Sequence, residues 1–239
     1  VTFISTKLVL IYSDNIGIIF FSTPFDIKSF EQLERIDCGG YKVSSMDLVN
    51  LPLIRRIAES LKPIILSTGM ANLADIEAAV MACLEKGNNN IIVLHCVSSY
   101  PCDLEFANLS RIKRIRDAFG VIPGFSDHTN EMETPALAVA MGARVIEKHV
   151  TLDKGMDGPD QHFSLGPDQL EHMVNLVRKT EKAINSHPID VAPGELVAKQ
   201  NLRRSIYSAI KIKPGEVITQ KNISLKSPGD GLPAKYYDL

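Results

Sequence analysis

The sequence has few cysteines, little net charge and no long apolar run, and each shortage excludes a class of protein. Its four cysteines form no C-x-x-C pair, which disfavours a zinc site or a disulfide framework and favours reduced thiols in the cytoplasm. The 26 Lys and Arg nearly balance the 28 Asp and Glu, so the overall charge gives no reason to bind nucleic acid or an anionic membrane. The longest apolar runs, such as residues 16–21, are far too short to span a bilayer.

The 239 residues instead have a globular composition, in which short β-rich runs alternate with amphipathic helical segments. The helical patterns cover residues 29–36, 51–61, 73–86 and 168–184. Six apolar runs, typical of parallel strands buried on both faces, cover residues 18–22, 40–44, 63–67, 90–95, 121–125 and 144–149. The alternation predicts an α/β fold with a parallel sheet and right-handed crossovers.

Two architectures fit this alternation, an open doubly wound sheet and a (β/α)8 TIM barrel. No G-x-G-x-x-G motif follows the first run, which weakens the dinucleotide-binding form of the open sheet. Polar residues follow almost every strand, and in a barrel those strand ends converge on one mouth. We therefore predict a TIM barrel. Only six strand–helix units are present, so either residues 1–12 are a degenerate substitute for the missing part or, as we expect, the barrel lacks its first two βα units.

The character of the sequence changes near residue 186. Residues 1–186 contain the predicted barrel domain, incomplete at its N-terminus. Residues 187–200 begin with a Pro-containing stretch without periodicity, which predicts a linker. Residues 201–239 hold short β runs and turns such as SPGDG, which predict a small β-rich domain with little core of its own.

Two histidines carry the strongest signal for chemistry. His128 and His149 are separated by one βα unit, and each follows a predicted strand. Neighbouring barrel strands would hold the two imidazoles side by side at the mouth, which suits a divalent metal with open positions for substrate. The alternative is that one or both are structural histidines. His95 lies within a strand, which favours a position in the core.

A second group combines hydroxyls at strand ends with one lysine. Lys42 lies inside the strand GYKVSS, where an unpaired ammonium is costly. A bound phosphate or carboxylate would satisfy both this charge and the hydroxyl donors. The alternative for each hydroxyl is that it caps the next helix. The hydroxyls are those of Thr23, Ser45, Ser67, Ser98 and Ser126.

The segment 152–167 is long for a βα connection, and it holds Asp153, Asp157 and Asp160. Long loops at a barrel mouth are commonly lids or substrate-contact loops. Carboxylates in such a loop suit the hydroxyls of a sugar, and a solvated acidic loop is the alternative.

Several motifs occur in an order that resembles one enzyme family. They extend from Ile18 to the C-terminus and include STPF at 22–25, LSTGM at 66–70, SDHT at 126–129 and EKH at 147–149. Together they resemble the N-acetylneuraminate (sialic acid) synthase family. The resemblance implies a (β/α)8 barrel joined to a small domain similar to type III antifreeze protein, in a domain-swapped homodimer. Residues 1–15 match no family motif, so we expect an N-terminally truncated barrel and an antifreeze-like domain that is incomplete at its C-terminus.

The resemblance also implies a reaction, the condensation of phosphoenolpyruvate with an N-acyl hexosamine to give a nonulosonic acid and phosphate. It assigns Lys42 and His149 as catalytic, and His128 with His149 as ligands of Mn²⁺ or Mg²⁺. The phosphoenolpyruvate ligands are then Lys42 and the five hydroxyls named above, although some members have asparagine at the position of Ser98. The sugar contacts are Asp47, Tyr100 and Asp160.

The identity of the sugar stays open at this point. Asp47 stands where sialic acid synthases proper have glutamate, so N-acetylmannosamine and the diacetamido sugars of the legionaminic and pseudaminic acid pathways are all candidates. Two other functions are alternatives: a different phosphoenolpyruvate-condensing synthase that makes a 3-deoxy sugar acid, and a non-catalytic sugar-binding remnant of the enzyme.

Overall fold

Five parallel strands, hydrogen-bonded in the order in which they occur along the chain, form the main sheet. The computed structural model describes residues 3–184 and 191–238. A helix lies in every connection between successive strands, which confirms the predicted parallel α/β arrangement. The strands are β1 (Tyr41–Val43), β2 (Ile64–Ser67), β3 (Ile91–Cys96), β4 (Ile122–Asp127) and β5 (Val145–Lys148).

Helices precede, connect and follow these strands. Those at the predicted helical patterns are α2 (Ile27–Arg35), α3 (Leu51–Ala58), α4 (Leu73–Leu84) and α7 (Pro167–Ala183). The structure adds α1 (Phe3–Asn15), α5 (Ser110–Phe119) and α6 (Thr134–Ala140).

Side-chain caps fix where the helices begin. Asn72 precedes α4, and its Oδ1 accepts hydrogen bonds from the N–H groups of Ala74 and Asp75 at 2.8 and 3.1 Å. The Asp75 carboxylate accepts in turn from the N–H of Asn72 at 3.0 Å, which completes a capping box. The cap therefore ends the loop that follows β2, and this loop contributes to the site described below.

The core and the site lie on opposite faces of the same strands. Tyr41 and Val43 on β1, like Ile64 and Leu66 on β2, are fully buried in the main hydrophobic cluster, which also contains residues of α3 and α4. Because side chains alternate along a strand, Lys42 and Ser67 point to the other face. The alternation thus places apolar side chains under the helices and polar ones inside the curve of the sheet.

The sheet is curled rather than flat. Residues of its two edge strands, Lys42 on β1 and Glu147 on β5, line one cavity at the carboxyl ends of the strands. This convergence is the property that distinguishes a barrel from an open sheet, so the structure is a curled half-barrel of five strands and not an open doubly wound sheet.

The prediction of a strand over residues 18–22 is wrong. In the structure this segment makes one isolated bridge, between Ser22 and Tyr41, and the N–H of Lys42 donates to the carbonyl of Ser22 at 2.9 Å. Ile18 and Ile19 are 60% and 74% exposed, so the segment lacks the burial on both faces that its hydrophobicity suggested. The described sheet therefore contains five strands where the sequence predicted six.

The described residues 191–238 form a second compact unit. Its strands β6 (Ser205–Ser208), β7 (Ile223–Lys226) and β8 (Leu232–Pro233) pair antiparallel in the order β7-β6-β8. Helix α8 (Leu196–Leu202) begins within the predicted linker, of which residues 187–190 lie outside the described residues. Among the described residues, none of the helices combines the length and apolar character that a bilayer crossing needs.

Candidate active site

A cavity of about 580 Å³ opens at the carboxyl ends of the five strands. Nine of the eleven residues predicted for the site line it: Thr23, Lys42, Ser45, Ser67, Ser98, Tyr100, Ser126, His128 and His149. The others that line it are Ser44, Met46, Met70, Cys96, Glu147 and Lys148.

The two predicted metal-binding histidines lie side by side, with their ring centroids 5.4 Å apart. Nδ1 of His128 is 2.8 Å from the carbonyl oxygen of Val97, which can only accept a hydrogen bond. Nδ1 therefore carries the proton, and Nε2 is left with its lone pair. Nδ1 of His149 lies 3.7 Å from Oδ2 of Asp160, which favours the same assignment for this ring. The two imidazoles thus each have an acceptor nitrogen available.

Aromatic rings surround this pair. The ring of Tyr100 lies 4.1 Å from that of His128 and 6.0 Å from that of His149, centroid to centroid. Phe163, which is 5% exposed, contacts His149 edge to face at 5.1 Å. These contacts restrict the ring planes and shield one side of the imidazoles from water.

The environment moves the pKa values of the two histidines apart. Burial by itself would lower the pKa of His128, but hydrogen bonds to Cys96 and to the carbonyl of Val97 outweigh burial and raise it. Burial, followed by the nearby charge of His128, lowers the pKa of His149. His149 is therefore the imidazole that is more readily neutral near pH 7.

The donors present fit a divalent cation as part of a ligand set. Two neutral imidazoles side by side suit a transition-metal ion such as Mn²⁺ better than Mg²⁺, which prefers oxygen ligands. Within residues 3–184 and 191–238, no group of three or more His, Cys, Asp or Glu side chains is arranged to hold a metal. An ion bound by His128 and His149 would thus keep most of its coordination positions for water and substrate oxygens, as a catalytic metal does.

Hydroxyl groups form a second part of the cavity lining. The Ser67 hydroxyl is buried, and it has no hydrogen-bond partner among the described residues. The Ser45 hydroxyl accepts from the N–H of Gly69 at 3.0 Å. A Cβ on Gly69 would lie 2.1 Å from Oγ of Ser98 and 2.8 Å from Oγ of Ser45, so only glycine lets these hydroxyls approach. A buried unpaired donor near Lys42 is suited to an anionic ligand.

Sequence reasoning missed Glu147, which connects the two parts of the site. Its Oε1 lies 3.3 Å from Nζ of Lys42 and accepts a hydrogen bond from the Ser126 hydroxyl at 2.8 Å. The signal was present in the motif EKH, because a residue two positions before His149 on a strand points to the same face. Sequence analysis also missed Cys96. This residue pairs with Ser126 in the strand register, and it lines the cavity.

Two predicted sugar contacts, Asp47 and Asp160, do not line the cavity. Asp47 accepts a hydrogen bond from the Ser44 hydroxyl at 2.8 Å, which directs its carboxylate to its own loop. Asp160 is 3.7 Å from His149, and its backbone carbonyl accepts from the Ser164 hydroxyl at 2.7 Å. The structure thus brings Asp160 beside a histidine of the site and leaves Asp47 outside it.

A curled parallel sheet with helical crossovers and a polar cavity at the carboxyl ends of its strands defines an α/β protein of the barrel class. Within that class the chain belongs to the NeuB family, which matches residues 5–188.

Individual relatives support this assignment. The chain is 42% identical to the uncharacterized protein MJ1065 of Methanocaldococcus jannaschii, over 95% of this chain and 68% of that protein. It is 37% identical to the N,N'-diacetyllegionaminic acid synthase of Campylobacter jejuni, over 97% of this chain and 70% of that enzyme. The solved N-acetylneuraminic acid (sialic acid) synthetase of Leptospira borgpetersenii, in complex with citrate, is 34% identical, with a TM-score of 0.79 over 83% of this chain and 69% of that one. The chain is thus a member of a family of enzymes and spans about seven tenths of each of these relatives.

Proposed function

We propose that this chain forms the larger part of an enzyme that condenses phosphoenolpyruvate with an N-acyl hexosamine to give a nonulosonic acid and phosphate. The observation that carries the proposal is the cavity, in which a buried unpaired Ser67 hydroxyl and the ammonium of Lys42 share one space with two adjacent imidazoles. Such a site can hold an anion and a second, polar substrate at once. The names of the relatives, a legionaminic acid synthase and a sialic acid synthetase, support the same chemistry.

Phosphoenolpyruvate binds in the part of the cavity that contains Lys42 and Ser67. Lys42 offsets the charge of the phosphate, and the hydroxyls of Thr23, Ser67 and Ser98 donate to its oxygens. Ser45 and Ser126 are already engaged, with the N–H of Gly69 and with Glu147, so they shape this region as well as contact the ligand.

The sugar lies on the side of His128 and His149, against the ring of Tyr100. His128 and His149 would hold a divalent cation, which when bound supplies Lewis acidity to a sugar oxygen. Tyr100 is 50% exposed, so its ring offers a face to the sugar while its other contacts fix His128. Asp160 is near enough to His149 to orient that ring and to accept from a sugar hydroxyl.

The reaction balances with these groups and water. The C3 carbon of phosphoenolpyruvate attacks the aldehyde carbon of the open-chain sugar and forms the new C–C bond, and the aldehyde oxygen becomes a hydroxyl by taking up a proton. Water adds to the cationic C2 carbon and gives up a proton. The C2–O bond to phosphate then breaks, the new C2 hydroxyl passes its proton to the departing phosphate, and the keto group forms. Lys42 and the hydroxyls hold the phosphate group in place throughout.

The N-acyl hexosamine is proposed as a class. The two relatives named above make different acids, and Asp47, which stands where sialic acid synthases proper have glutamate, does not line the cavity.

We further propose that the five strands belong to an eight-stranded barrel and that residues 201–239 belong to an antifreeze-like domain that closes the barrel of a second copy in a homodimer.

Phosphate release tests the proposal. The purified chain is incubated with Mn²⁺, phosphoenolpyruvate and, in turn, N-acetylmannosamine and the diacetamido hexoses, and free phosphate is measured beside a His128→Ala variant. We expect release that requires one of the sugars and is lost in the variant. Binding of phosphoenolpyruvate without sugar-dependent release in a folded sample would contradict the catalytic proposal for this chain.

A further inference from the structure

A buried ion pair joins the two strands that carry the candidate metal-binding histidines. Asp127 is the last residue of β4, Lys148 is the last of β5, and the two are partners in the strand register. Nζ of Lys148 lies 2.7 Å from Oδ2 of Asp127, and the two side chains are 3% and 0% exposed. His128 and His149 are the residues that follow.

Both charged groups also bind the backbone of Thr129. Oδ1 of Asp127 accepts a hydrogen bond from the N–H of Thr129 at 2.9 Å, and Nζ of Lys148 donates to the carbonyl of Thr129. Thr129 is 1% exposed, so without these partners its N–H and C=O would be buried and unpaired. The pair therefore fixes the backbone directly after His128 and connects it to the strand that ends before His149.

Stability alone does not account for this pair. Removing two charges from water costs about as much as their attraction returns, and apolar residues of similar volume often replace a buried ion pair without loss. Apolar residues cannot, however, hold both backbone groups of Thr129 or link β4 to β5 through hydrogen bonds. Because His128 lies between Asp127 and Thr129, any shift of that backbone moves its imidazole.

We propose that Asp127 and Lys148 are positioning residues that set the separation and orientation of the His128 and His149 imidazoles, and thereby the affinity of a divalent cation between them. The inference rests on the proposed function, in which these two rings bind the cation. Outer-shell partners act in this way at metal sites, where their loss commonly lowers metal affinity by about 10–100-fold.

Calorimetric titration of Mn²⁺ into the full chain tests the inference with two double variants. Asp127→Leu/Lys148→Met removes the charges and the contacts to Thr129. Asp127→Asn/Lys148→Gln removes the charges but keeps an acceptor and a donor for Thr129. We expect the apolar variant to bind Mn²⁺ at least about tenfold more weakly, and the polar variant to bind within about threefold of the unaltered chain. Unaltered affinity in the apolar variant, or an equal loss in both, overturns the proposal.

Circular dichroism establishes that each variant is folded. If the apolar variant does not fold, Asp127→Asn/Lys148→Met replaces it, because this variant keeps the acceptor for the N–H of Thr129 and loses only the donor to its carbonyl. Unaltered Mn²⁺ affinity in that folded variant also overturns the proposal.

Two control variants show whether a change in Mn²⁺ affinity comes from the loss of this particular ion pair. Arg55→Gln/Glu85→Gln removes a surface ion pair with an Nε–Oε2 distance of 3.1 Å, and we expect unaltered Mn²⁺ affinity. His128→Ala separates this inference from the proposed function. Mn²⁺ binding that survives in His128→Ala contradicts the metal site itself. Binding that is lost in His128→Ala but unaltered in the apolar double variant contradicts only the positioning role.

Discussion

Lys42 and Glu147 form an ion pair across the candidate site, with 3.3 Å between Nζ and Oε1, although they lie on the first and last strands of the sheet. In a flat sheet these strands would be about 19 Å apart, four spacings of about 4.8 Å. The contact therefore measures how far the sheet curls. The contact also gives Lys42 a counter-ion inside the cavity. This counter-ion explains why a lysine is tolerated in the middle of a short strand.

We expect Lys42→Met to weaken phosphoenolpyruvate binding at least about tenfold, because the phosphate loses its charged partner and the Glu147 carboxylate is left without its counter-ion. Lys42→Arg keeps the charge and should recover part of the affinity. Calorimetric titration of phosphoenolpyruvate measures both. Equal affinity in Lys42→Met and the unaltered chain would contradict the assignment of Lys42 to the phosphate.

Ser67→Ala should weaken phosphoenolpyruvate binding without lowering the stability of the fold. The buried Ser67 hydroxyl lacks a partner among the described residues, so its removal is expected to leave the free energy of unfolding unchanged or to raise it by about 1 kcal/mol. Phosphoenolpyruvate binding should weaken, since a donor to the phosphate is lost. Ser126→Ala is the matched control: its hydroxyl is already bound to Glu147, so we expect destabilisation by about 1 kcal/mol. Urea unfolding and ligand titration of both variants measure the contrast, and destabilisation by Ser67→Ala would contradict it.

Gly69→Ala should disrupt the hydroxyl part of the site. The new methyl group would lie 2.1 Å from Oγ of Ser98, so the loop or the serine must shift, at a cost of about 1–3 kcal/mol in unfolding free energy. We expect weaker phosphoenolpyruvate binding as well. Gly194→Ala, where the new methyl group would meet no atom within 4 Å, is the control and should leave stability unchanged or raise it by up to about 1 kcal/mol. Thermal unfolding and titration compare the two, and identical behaviour would refute the steric argument.

His95 should make the fold less stable as pH falls below about 6.5. Its ring is fully buried beside Phe125, Nε2 donates to the carbonyl of Ala107 at 2.7 Å, and burial lowers its pKa from the ordinary 6.5. The unfolded chain therefore takes up the proton first, so stability is full above pH 6.5 and declines through the pH range below it. His149 contributes with the same sign and His128 with the opposite one.

His95→Gln isolates the contribution of this residue. The glutamine amide can still donate to the carbonyl of Ala107 and does not titrate, so the dependence of unfolding free energy on pH should become shallower by at most about 1.4 kcal/mol per pH unit. Urea unfolding at several pH values between 5 and 8 measures the slope. The same slope in both proteins would contradict a buried, neutral His95.

The sequence predicts β1 to β5 well because each lies in a short run rich in apolar residues with at least one face packed in the protein, and such a run is visible in a single sequence. The same signal fails for residues 18–22. Their hydrophobicity is as high, but strand formation depends on hydrogen-bonded neighbours, and this segment makes only the bridge from Ser22 to Tyr41. Pairing is a property of the assembled sheet, which a local pattern does not contain.

The candidate site likewise contains residues that a local sequence pattern predicts and contacts that depend on the assembled sheet. Strand-end residues such as Ser67 and His128 follow from counting along a strand, and the structure brings them to one cavity. The ion pair of Lys42 with Glu147 depends on the curl of the whole sheet, and the buried pair of Asp127 with Lys148 depends on register. Asp47 does not line the cavity, and its carboxylate accepts a hydrogen bond from Ser44 three residues away, a local contact that counting along the strands does not predict.

The alternation of core and cavity residues along β1 and β2 has a consequence for how this sheet tolerates change. Deletion of a single residue within β2 would exchange the two faces, so that a serine entered the apolar cluster and an isoleucine or leucine entered the cavity. One such deletion would therefore abolish folding and ligand binding together. Point substitutions, by contrast, affect one property at a time: volume at Ile64 and Leu66, and hydrogen-bond donation at Ser67.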